Sequence, residues 1–120
     1  MAASVVIVDD HPGFRSWARS LLEAEGFHVV AETADGRSGL MAVRDLGPDL
    51  VLLDVTLPDG SGFDVADALA ELAEPPLVVL VSSREAADYG RRLAGSRAAC
   101  FLSKHELSGS QLWALLGGAR

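Results

Sequence analysis

Five short apolar runs divide the chain, each bounded by polar or turn-forming residues. They cover residues 5–8, 28–34, 50–53, 77–81 and 99–102, the second being the weakest and the fifth the shortest. The first, third and fourth runs are apolar throughout. This is typical of strands covered on both faces, because a strand with one exposed face alternates apolar and polar residues. The pattern therefore predicts five strands of a parallel sheet.

Segments with helical periodicity lie between and after these runs. The first has Pro12 in its first turn and Gly26 at its end. Its inward positions are Phe14, Trp17, Ala18, Leu21 and Leu22. The second helix is predicted over residues 35–46 and the fourth, which is poorly patterned, over residues 84–93. The third helix has its inward positions at Phe63, Ala66, Leu69, Ala70 and Ala73. The last helix has them at Leu112, Leu115 and Leu116.

This alternation of five strands with five helices predicts an α/β fold. Crossovers between parallel strands are right-handed, and helices then cover both faces of a doubly wound sheet. Ligands bind such sheets beyond the carboxyl ends of the strands, where the winding direction switches. Candidate chemistry is therefore expected at those ends.

Four of the five runs lead into polar residues with chemical potential. Asp9 and Asp10 follow the first run, Asp54 the third and Ser82 the fourth. Lys104 follows the fifth, and it is the one lysine in a chain with nine arginines. Because the carboxyl ends of parallel strands meet at one edge, the pattern predicts a pocket of three carboxylates, a hydroxyl and an ammonium.

The charges of this set favour a divalent cation. Three carboxylates and one ammonium sum to −2, and two carboxylates about 4 Å apart repel by roughly 4 kcal/mol at an effective dielectric of 20. Either a shared proton or a divalent cation relieves that repulsion. Oxygen ligands without histidine or thiolate favour Mg²⁺, Mn²⁺ or Ca²⁺ over zinc. Mg²⁺ fits best, because it takes one or two carboxylates together with a phosphate, and Mn²⁺ is an alternative.

A site of this composition suits phosphoryl transfer. A carboxylate beside Mg²⁺, an ammonium and a hydroxyl can accept a phosphoryl group. Conversion of Asp54 to an acyl phosphate changes its charge from −1 to about −2. Lys104 then has a stronger partner and Ser82 a new acceptor, and this rearrangement is the predicted output.

The chain resembles the receiver domains of bacterial two-component response regulators over essentially all of its 120 residues. The residues that carry the resemblance are Asp9, Asp10, Asp54 with Pro58 and Gly62 after it, Ser82, Phe101 and Lys104. The resemblance implies a flavodoxin-like fold with strand order 2-1-3-4-5. It also implies a signalling domain and not an enzyme, one that catalyses at most its own phosphorylation and dephosphorylation.

The same resemblance implies roles for the acidic residues. Asp54 is the expected phosphoacceptor and a metal ligand. Asp10 is expected to bind the metal directly and Asp9 to bind it through water. The backbone carbonyl of Thr56 is expected to complete the coordination.

The remaining roles concern switching and partners. Lys104 and Ser82 are the expected catalytic partners of the acceptor, and Ser82 and Phe101 the expected switch pair. On phosphorylation the hydroxyl is expected to move to the phosphate and the ring to turn inward. The expected partners are a sensor histidine kinase docking near the first helix, and a second copy bound through the face of helix 4, strand 5 and helix 5.

Two local features refine the resemblance. Residues 8–12 are similar to receivers that precede a helix-turn-helix DNA-binding domain, which implies part of a transcriptional regulator or a stand-alone receiver. The expected domain is 1–120, with no output domain after the last helix. Members of the family often have a proline after the lysine, preceded by a cis peptide, whereas His105 follows Lys104 here. A non-proline cis bond costs about 3–4 kcal/mol, so the conformation of that turn is left open.

Length, composition and charge limit the classes of protein to which the chain can belong. The 120 residues, 49% of them apolar, suit one compact domain, and no run approaches the roughly 18 apolar residues of a membrane span. Residues 1–4 lack the features of a signal peptide, and the single Cys100 suits a reducing cytoplasm. A net charge of −7 disfavours direct binding of nucleic acid or of an anionic membrane by this segment.

Several residues are predicted to have structural positions only. Cys100 and Trp17 are assigned to the core, while His11, His28 and His105 are assigned to the surface or the rim because they lack metal-ligand spacing. Each site motif alone also has a simpler interpretation, since an acidic pair or a serine suits a helix cap and a lysine is usually solvated.

Two other functions compete with the switch. A degenerate receiver would act as an interaction module without phosphorylation. A haloacid-dehalogenase-like phosphatase would use Asp54 as nucleophile, but it needs a second aspartate two positions later, where Thr56 stands. A nucleotide-binding flavodoxin-like protein is disfavoured because no glycine-rich loop follows the first strand.

Overall fold

A computed structural model describes residues 3–117, except for the side chain of Ala86. The ends of the predicted 1–120 domain, residues 1, 2 and 118–120, lie outside the described residues. The five strands of the main sheet are β1 (Ser4–Val8), β2 (His28–Thr33), β3 (Leu50–Asp54), β4 (Leu77–Ser82) and β5 (Cys100–Ser103). The five α-helices are α1 (Pro12–Ala24), α2 (Gly36–Leu46), α3 (Gly62–Ala70), α4 (Arg91–Ala94) and α5 (Gly109–Gly117). Within residues 3–117, no helix is long and apolar enough to cross a membrane.

The sheet has the strand order β2-β1-β3-β4-β5, and every neighbouring pair is parallel. This order and the five helices confirm the predicted doubly wound, flavodoxin-like fold. Alternate residues of the three central strands enter two separate core clusters, one on each face of the sheet. One cluster includes Ala18 and Leu22 of α1 and Leu112 of α5, and the other includes Val43 of α2 and Phe63, Ala66 and Leu69 of α3. The continuous apolar runs are explained by burial on both faces.

The connection after β3 is more ordered than the predicted loop over residues 54–62. Thr56–Leu57 pairs with Gly60–Ser61 in a short antiparallel hairpin. Asp59 in its turn accepts hydrogen bonds from the backbone N–H groups of Gly36 (2.8 Å) and Arg37 (3.0 Å), which lie in the first turn of α2. These bonds lower the pKa of Asp59 and tie the segment that follows the candidate acceptor to a second helix.

The predicted bounds of the fourth helix, residues 84–93, are wrong. The chain forms a 3₁₀ turn at Ala86–Asp88 and then a single α-helical turn, α4. Between them Gly90 has a φ of +49°, in the left-handed region that interrupts a right-handed helix. Side-chain acceptors also compete with the helical pattern here, because Ser82 accepts from the N–H of Arg84 and Asp88 from that of Glu85.

Two predicted core positions are also wrong. Trp17 is 48% exposed, because Ala18 and Leu22 occupy the centre of the buried face of α1 and Trp17 lies at its edge. Ala73 is exposed because α3 ends at Ala70, three residues earlier than the inward pattern requires. Cys100, assigned to the core, is half-buried and packs against the α1 side of the sheet.

Candidate functional site

The central strands deliver two aspartates to the carboxyl edge of the sheet. Asp54 is the last residue of β3, where it is paired with Val81 of β4. Asp9 follows β1 directly, and its N–H donates to the carbonyl of Thr33 at 3.0 Å. The side chains of both aspartates are almost completely buried. Carboxylates in such positions need a cation or several donors, because burial disfavours their charged form.

Asp10 and His11 complete a compact cluster with these two residues. Asp9, Asp10, His11 and Asp54 each offer one ligand atom, and the four atoms lie within 4.8 Å of one another. His11 Nδ1 lies 3.0 Å from Asp9 Oδ1, 3.3 Å from Asp10 Oδ1 and 3.8 Å from Asp54 Oδ2. The structure thus brings the three predicted acidic residues into one pocket.

Lys104 reaches the same pocket from the end of β5. Its Nζ lies 2.8 Å from Asp9 Oδ2 and 3.4 Å from Asp54 Oδ2. The ammonium also lies 4.5 Å from the centre of the Phe14 ring, a cation–π contact that holds it over α1. The peptide bond between Lys104 and His105 is trans, and these two residues begin a 3₁₀ turn. The turn that the sequence left open therefore directs Lys104 at the acidic pocket without a proline.

The environment of Asp54 raises its pKa to about 6. The largest cause is burial, and the second is the neighbouring charge of Asp9. Lys104 and the N–H of Thr56, which lies 3.3 Å from Asp54 Oδ1, oppose these effects and favour the carboxylate. Asp54 is therefore mostly ionised at neutral pH, but its charge is costly to maintain.

The acidic residues fit a divalent cation. Asp9 Oδ2 is buried and pairs with the ammonium of Lys104 at 2.8 Å. One ammonium does not neutralise three carboxylates, and burial disfavours the charge that remains, so a further cation is favoured here. Asp9, Asp10 and Asp54 would hold it. Thr56, predicted to contribute its carbonyl, is anchored beside them through its N–H.

The predicted switch residues lie next to this pocket but do not join the cluster. Ser82, at the end of β4, is 3% exposed. Its hydroxyl is 2.5 Å from the hydroxyl of Tyr89 and accepts from the N–H of Arg84 at 3.0 Å. Phe101 packs edge-to-face against Tyr89, with ring centres 5.6 Å apart. Ser82 and Phe101 are thus linked through Tyr89.

Sequence reasoning missed two residues here. Tyr89 carries no signal in the sequence, because it lies in the poorly patterned segment over residues 84–93. The sequence predicts a surface or rim position for His11, because it lacks metal-ligand spacing. Its side chain is 65% exposed, but its Nδ1 lies among the carboxylates. The signal that was available was its position directly after Asp9 and Asp10, since a turn at the end of a strand brings adjacent side chains together.

A second layer of contacts fixes the start of α1 beneath the pocket. Arg15 donates to the carbonyl oxygen of Asp9 at 2.7 Å and pairs with Glu32 of β2 at 3.4 Å. Arg19 pairs with the same Glu32 at 2.7 Å. On the β5 side, Ser103 and Glu106 form a capping box around Lys104. The pocket is therefore held by groups that do not themselves enter it.

A doubly wound parallel sheet with an acidic pocket and a lysine at its carboxyl edge defines a receiver-type signalling domain. The sequence pattern of the response regulator receiver domain matches residues 5–115, so the chain belongs to this family. Members of the family are signalling domains and not conventional enzymes, and they generally bind Mg²⁺ through acidic residues. The resemblance predicted from the sequence is confirmed.

Transcription regulators are among the relatives. BvgA of Bordetella pertussis, which carries the name of a transcription regulator of virulence factors, is 40% identical over 106 residues, covering 88% of this chain and 51% of BvgA. EvgA of Escherichia coli K12, named a DNA-binding transcriptional activator, is 32% identical over 103 residues, covering 86% of this chain and 50% of EvgA. The chain therefore spans about half the length of these curated relatives.

Solved receiver structures have the same fold. The signal receiver domain of NarL from Mycobacterium tuberculosis superposes with a TM-score of 0.84 at 32% identity, covering 98% of this chain and 96% of that one. A CheY-like receiver domain from Methylobacillus flagellatus gives a TM-score of 0.83 at 25% identity, with complete coverage of both chains.

Proposed function

We propose that this domain is a phosphorylation-dependent switch in which Asp54 accepts a phosphoryl group from a sensor histidine kinase. The observation that carries the proposal is the position of Asp54, which is buried at the end of β3 and shares the ammonium of Lys104 with the carboxylate of Asp9. This arrangement provides a nucleophilic carboxylate, a fixed positive charge and oxygen ligands for a divalent cation in one pocket.

The proposed transfer is a displacement at phosphorus. A carboxylate oxygen of Asp54 forms a bond to the phosphorus atom of a phosphohistidine, the P–N bond breaks, and the imidazole leaves with the electron pair and takes up a proton. The product is an acyl phosphate. Lys104 offsets charge on the transferring oxygens, and the Thr56 N–H holds the other carboxylate oxygen. A bound Mg²⁺ or Mn²⁺ would neutralise further phosphoryl charge.

The added charge is the proposed signal. Asp54 changes from −1 to about −2, so Lys104 gains a stronger partner and the hydroxyl of Ser82 gains a new acceptor. Movement of Ser82 toward the phosphate breaks its bond with Tyr89, and Phe101 repacks with the released ring. The phosphoryl group thereby shifts the population between two conformations.

The proposed partners follow from the family and from the relatives. The kinase docks near α1, and the face formed by α4, β5 and α5 transmits the signal, including to a second copy. We propose that the chain is the receiver part of a cytoplasmic transcriptional regulator, because BvgA and EvgA are named transcription regulators and are about twice as long. DNA binding then belongs to a segment outside this one. Sequencing the gene beyond codon 120 tests that assignment.

The central test is phosphorylation by a small phosphodonor. Acetyl phosphate with Mg²⁺ is expected to add about 80 Da to the intact mass, the mass of one phosphoryl group. Asp54→Asn should abolish the adduct, while the matched change Asp67→Asn on the exposed face of α3 should leave it unchanged. No adduct, or an adduct that survives Asp54→Asn, contradicts the proposal and favours the degenerate receiver.

The phosphatase alternative is tested separately. Repeated turnover of a phosphomonoester such as p-nitrophenyl phosphate, dependent on Asp54, would favour the haloacid-dehalogenase-like reaction over the switch. We expect no such turnover, because Thr56 stands where that reaction requires a general acid.

A further inference from the structure

We propose that His11 is a nitrogen ligand of the divalent-cation site, and that the site therefore binds first-row transition ions such as Co²⁺ and Mn²⁺ in preference to Mg²⁺. The inference rests on the proposed function, because it concerns the cation that assists phosphorylation of Asp54. It changes the expected ion, because a set of oxygen ligands without histidine favours Mg²⁺. The structure places an imidazole nitrogen in that set.

The distances around His11 are those between ligands of one metal ion. Bonds of 2.0–2.1 Å place adjacent ligands about 3 Å apart in octahedral geometry and slightly further apart in tetrahedral geometry. Nδ1 lies 3.0 Å from Asp9 Oδ1 and 3.3 Å from Asp10 Oδ1, which matches both arrangements. Its distance of 3.8 Å to Asp54 Oδ2 is slightly longer. All four ligand atoms lie within 4.8 Å of one another, a spacing compact enough for one ion.

The backbone holds the imidazole in this place. His11 is the N-cap residue of α1, with extended backbone angles, and Pro12 fixes the first position of the helix. The N–H of His11 donates to Asp9 Oδ1 at 2.8 Å. This bond joins the histidine backbone to the same carboxylate that its ring approaches. The nitrogen is consequently pre-positioned, although most of the ring is exposed to solvent.

The buried carboxylate of Asp9 is an independent sign of a cation. Its side chain is completely buried, and its Oδ2 pairs with the ammonium of Lys104 at 2.8 Å. Lys104 supplies one positive charge to this oxygen and to Asp54, which leaves the three carboxylates with a net charge of −2. A divalent ion neutralises that charge, so the cluster needs a cation for a reason unrelated to His11.

An imidazole nitrogen raises the affinity of the site for some cations more than for others. Mg²⁺ prefers oxygen ligands and keeps several waters, so an imidazole adds little to its binding. Imidazole strengthens binding of transition ions, along the series from Mn²⁺ through Co²⁺ to Ni²⁺. Removal of His11 should therefore weaken Co²⁺ binding at least about tenfold and change Mg²⁺ binding by less than about threefold.

The test uses the metal-free full chain with Mg²⁺, Co²⁺ and Mn²⁺ as probes. Calorimetry gives the affinities, and pulsed EPR of the Mn²⁺ complex reports a ¹⁴N coupling only when a nitrogen is bound directly. The variants are His11→Ala and His11→Gln, with His105→Ala as the matched control, because His105 is exposed and contacts Glu85 instead. We expect ¹⁴N coupling in the wild type and in His105→Ala, and none in either His11 variant.

Three results would overturn the inference. They are a wild-type Mn²⁺ complex without ¹⁴N coupling, a coupling that persists in both His11 variants, and equal losses of Co²⁺ and Mg²⁺ affinity. In the first case Nδ1 serves only as a hydrogen-bond partner of Asp9 and Lys104. A separate measurement distinguishes failure of the proposed function from failure of the His11 proposal. If the proposed function is wrong, the wild type gives no adduct on Asp54 with acetyl phosphate and Mg²⁺. If only the role of His11 is wrong, that adduct still forms.

Discussion

The hydroxyl groups of Ser82 and Tyr89 are hydrogen-bonded to each other, 2.5 Å apart, at the carboxyl end of β4. The Tyr89 ring lies between Phe63 and Phe101, with edge-to-face contacts at 5.5 and 5.6 Å. Tyr89 thus contacts Ser82, whose hydroxyl is proposed to sense the phosphate. Its ring also contacts Phe101, which is proposed to move in response.

Tyr89→Phe is expected to accelerate phosphorylation of Asp54. The change keeps the ring and removes only the bond that holds the Ser82 hydroxyl away from the acceptor. A net hydrogen bond contributes about 1 kcal/mol, which corresponds to roughly a fivefold increase in rate. A time course of intact mass with acetyl phosphate measures it. In a Ser82→Ala background the same change should have no effect, and an equal acceleration there would contradict the role of this bond.

Asp54→Asn is expected to stabilise the metal-free protein at neutral pH but not in acid. The pKa of Asp54 rises from 3.8 in the unfolded chain to about 6 in the folded one, so the folded state binds the proton more tightly. Wild-type stability therefore falls as pH rises through that window, by about 3 kcal/mol for a shift of about two units. Asparagine does not titrate and avoids this loss.

The measurement is urea unfolding in the presence of EDTA at several pH values. The gain in free energy of unfolding from Asp54→Asn should be near zero at pH 4 and close to its maximum above pH 7. A gain that does not change between these values would show that burial and Asp9 do not raise the pKa of this carboxyl.

Lys104→Arg is expected to impair switching more than metal binding. The ammonium is a compact charge in a side chain that is only 16% exposed, and it lies between two carboxylates and the Phe14 ring. A planar guanidinium needs more space and a different set of acceptors. Hydrogen exchange of residues 84–95, with and without acetyl phosphate, reports switching, and calorimetry reports metal affinity. Equal losses in both would contradict the assigned role.

Gly62→Ala is expected to destabilise the fold by about 3 kcal/mol and to displace Asp54. A Cβ at Gly62 would overlap the carbonyl oxygen of Asp54 and approach the Cα of Val55, neither of which can move as a flexible side chain would. Gly13→Ala is the matched control, because a Cβ there meets nothing within 4 Å. Thermal unfolding compares the two, and equal stabilities would show that the close approach at Gly62 is tolerated.

The pattern of the sequence was sufficient for the sheet and for its reactive edge. Strand periodicity and the polar residue after each apolar run are local features of the sequence. Parallel pairing brings the carboxyl ends of the strands together irrespective of the conformation of the loops. Asp9, Asp54 and Lys104 meet for that reason. Helix ends were less well predicted, as in α3 and α4, because capping and side-chain acceptors decide them.

Two features of the candidate site depended on contacts between distant parts of the chain. Tyr89 reaches Ser82 only because the segment before α4 folds back over the end of β4, in a region without a periodic pattern. His11 approaches Asp54 through the turn at the start of α1, which is fixed by Pro12 and by the bond of Arg15 to Asp9. The fold class and the acidic edge of the sheet could be predicted from the residues alone, because both follow from local hydrophobic periodicity. The contacts of Tyr89 and His11 could not be predicted in this way, because rotamers and loop paths depend on packing between segments far apart in the chain.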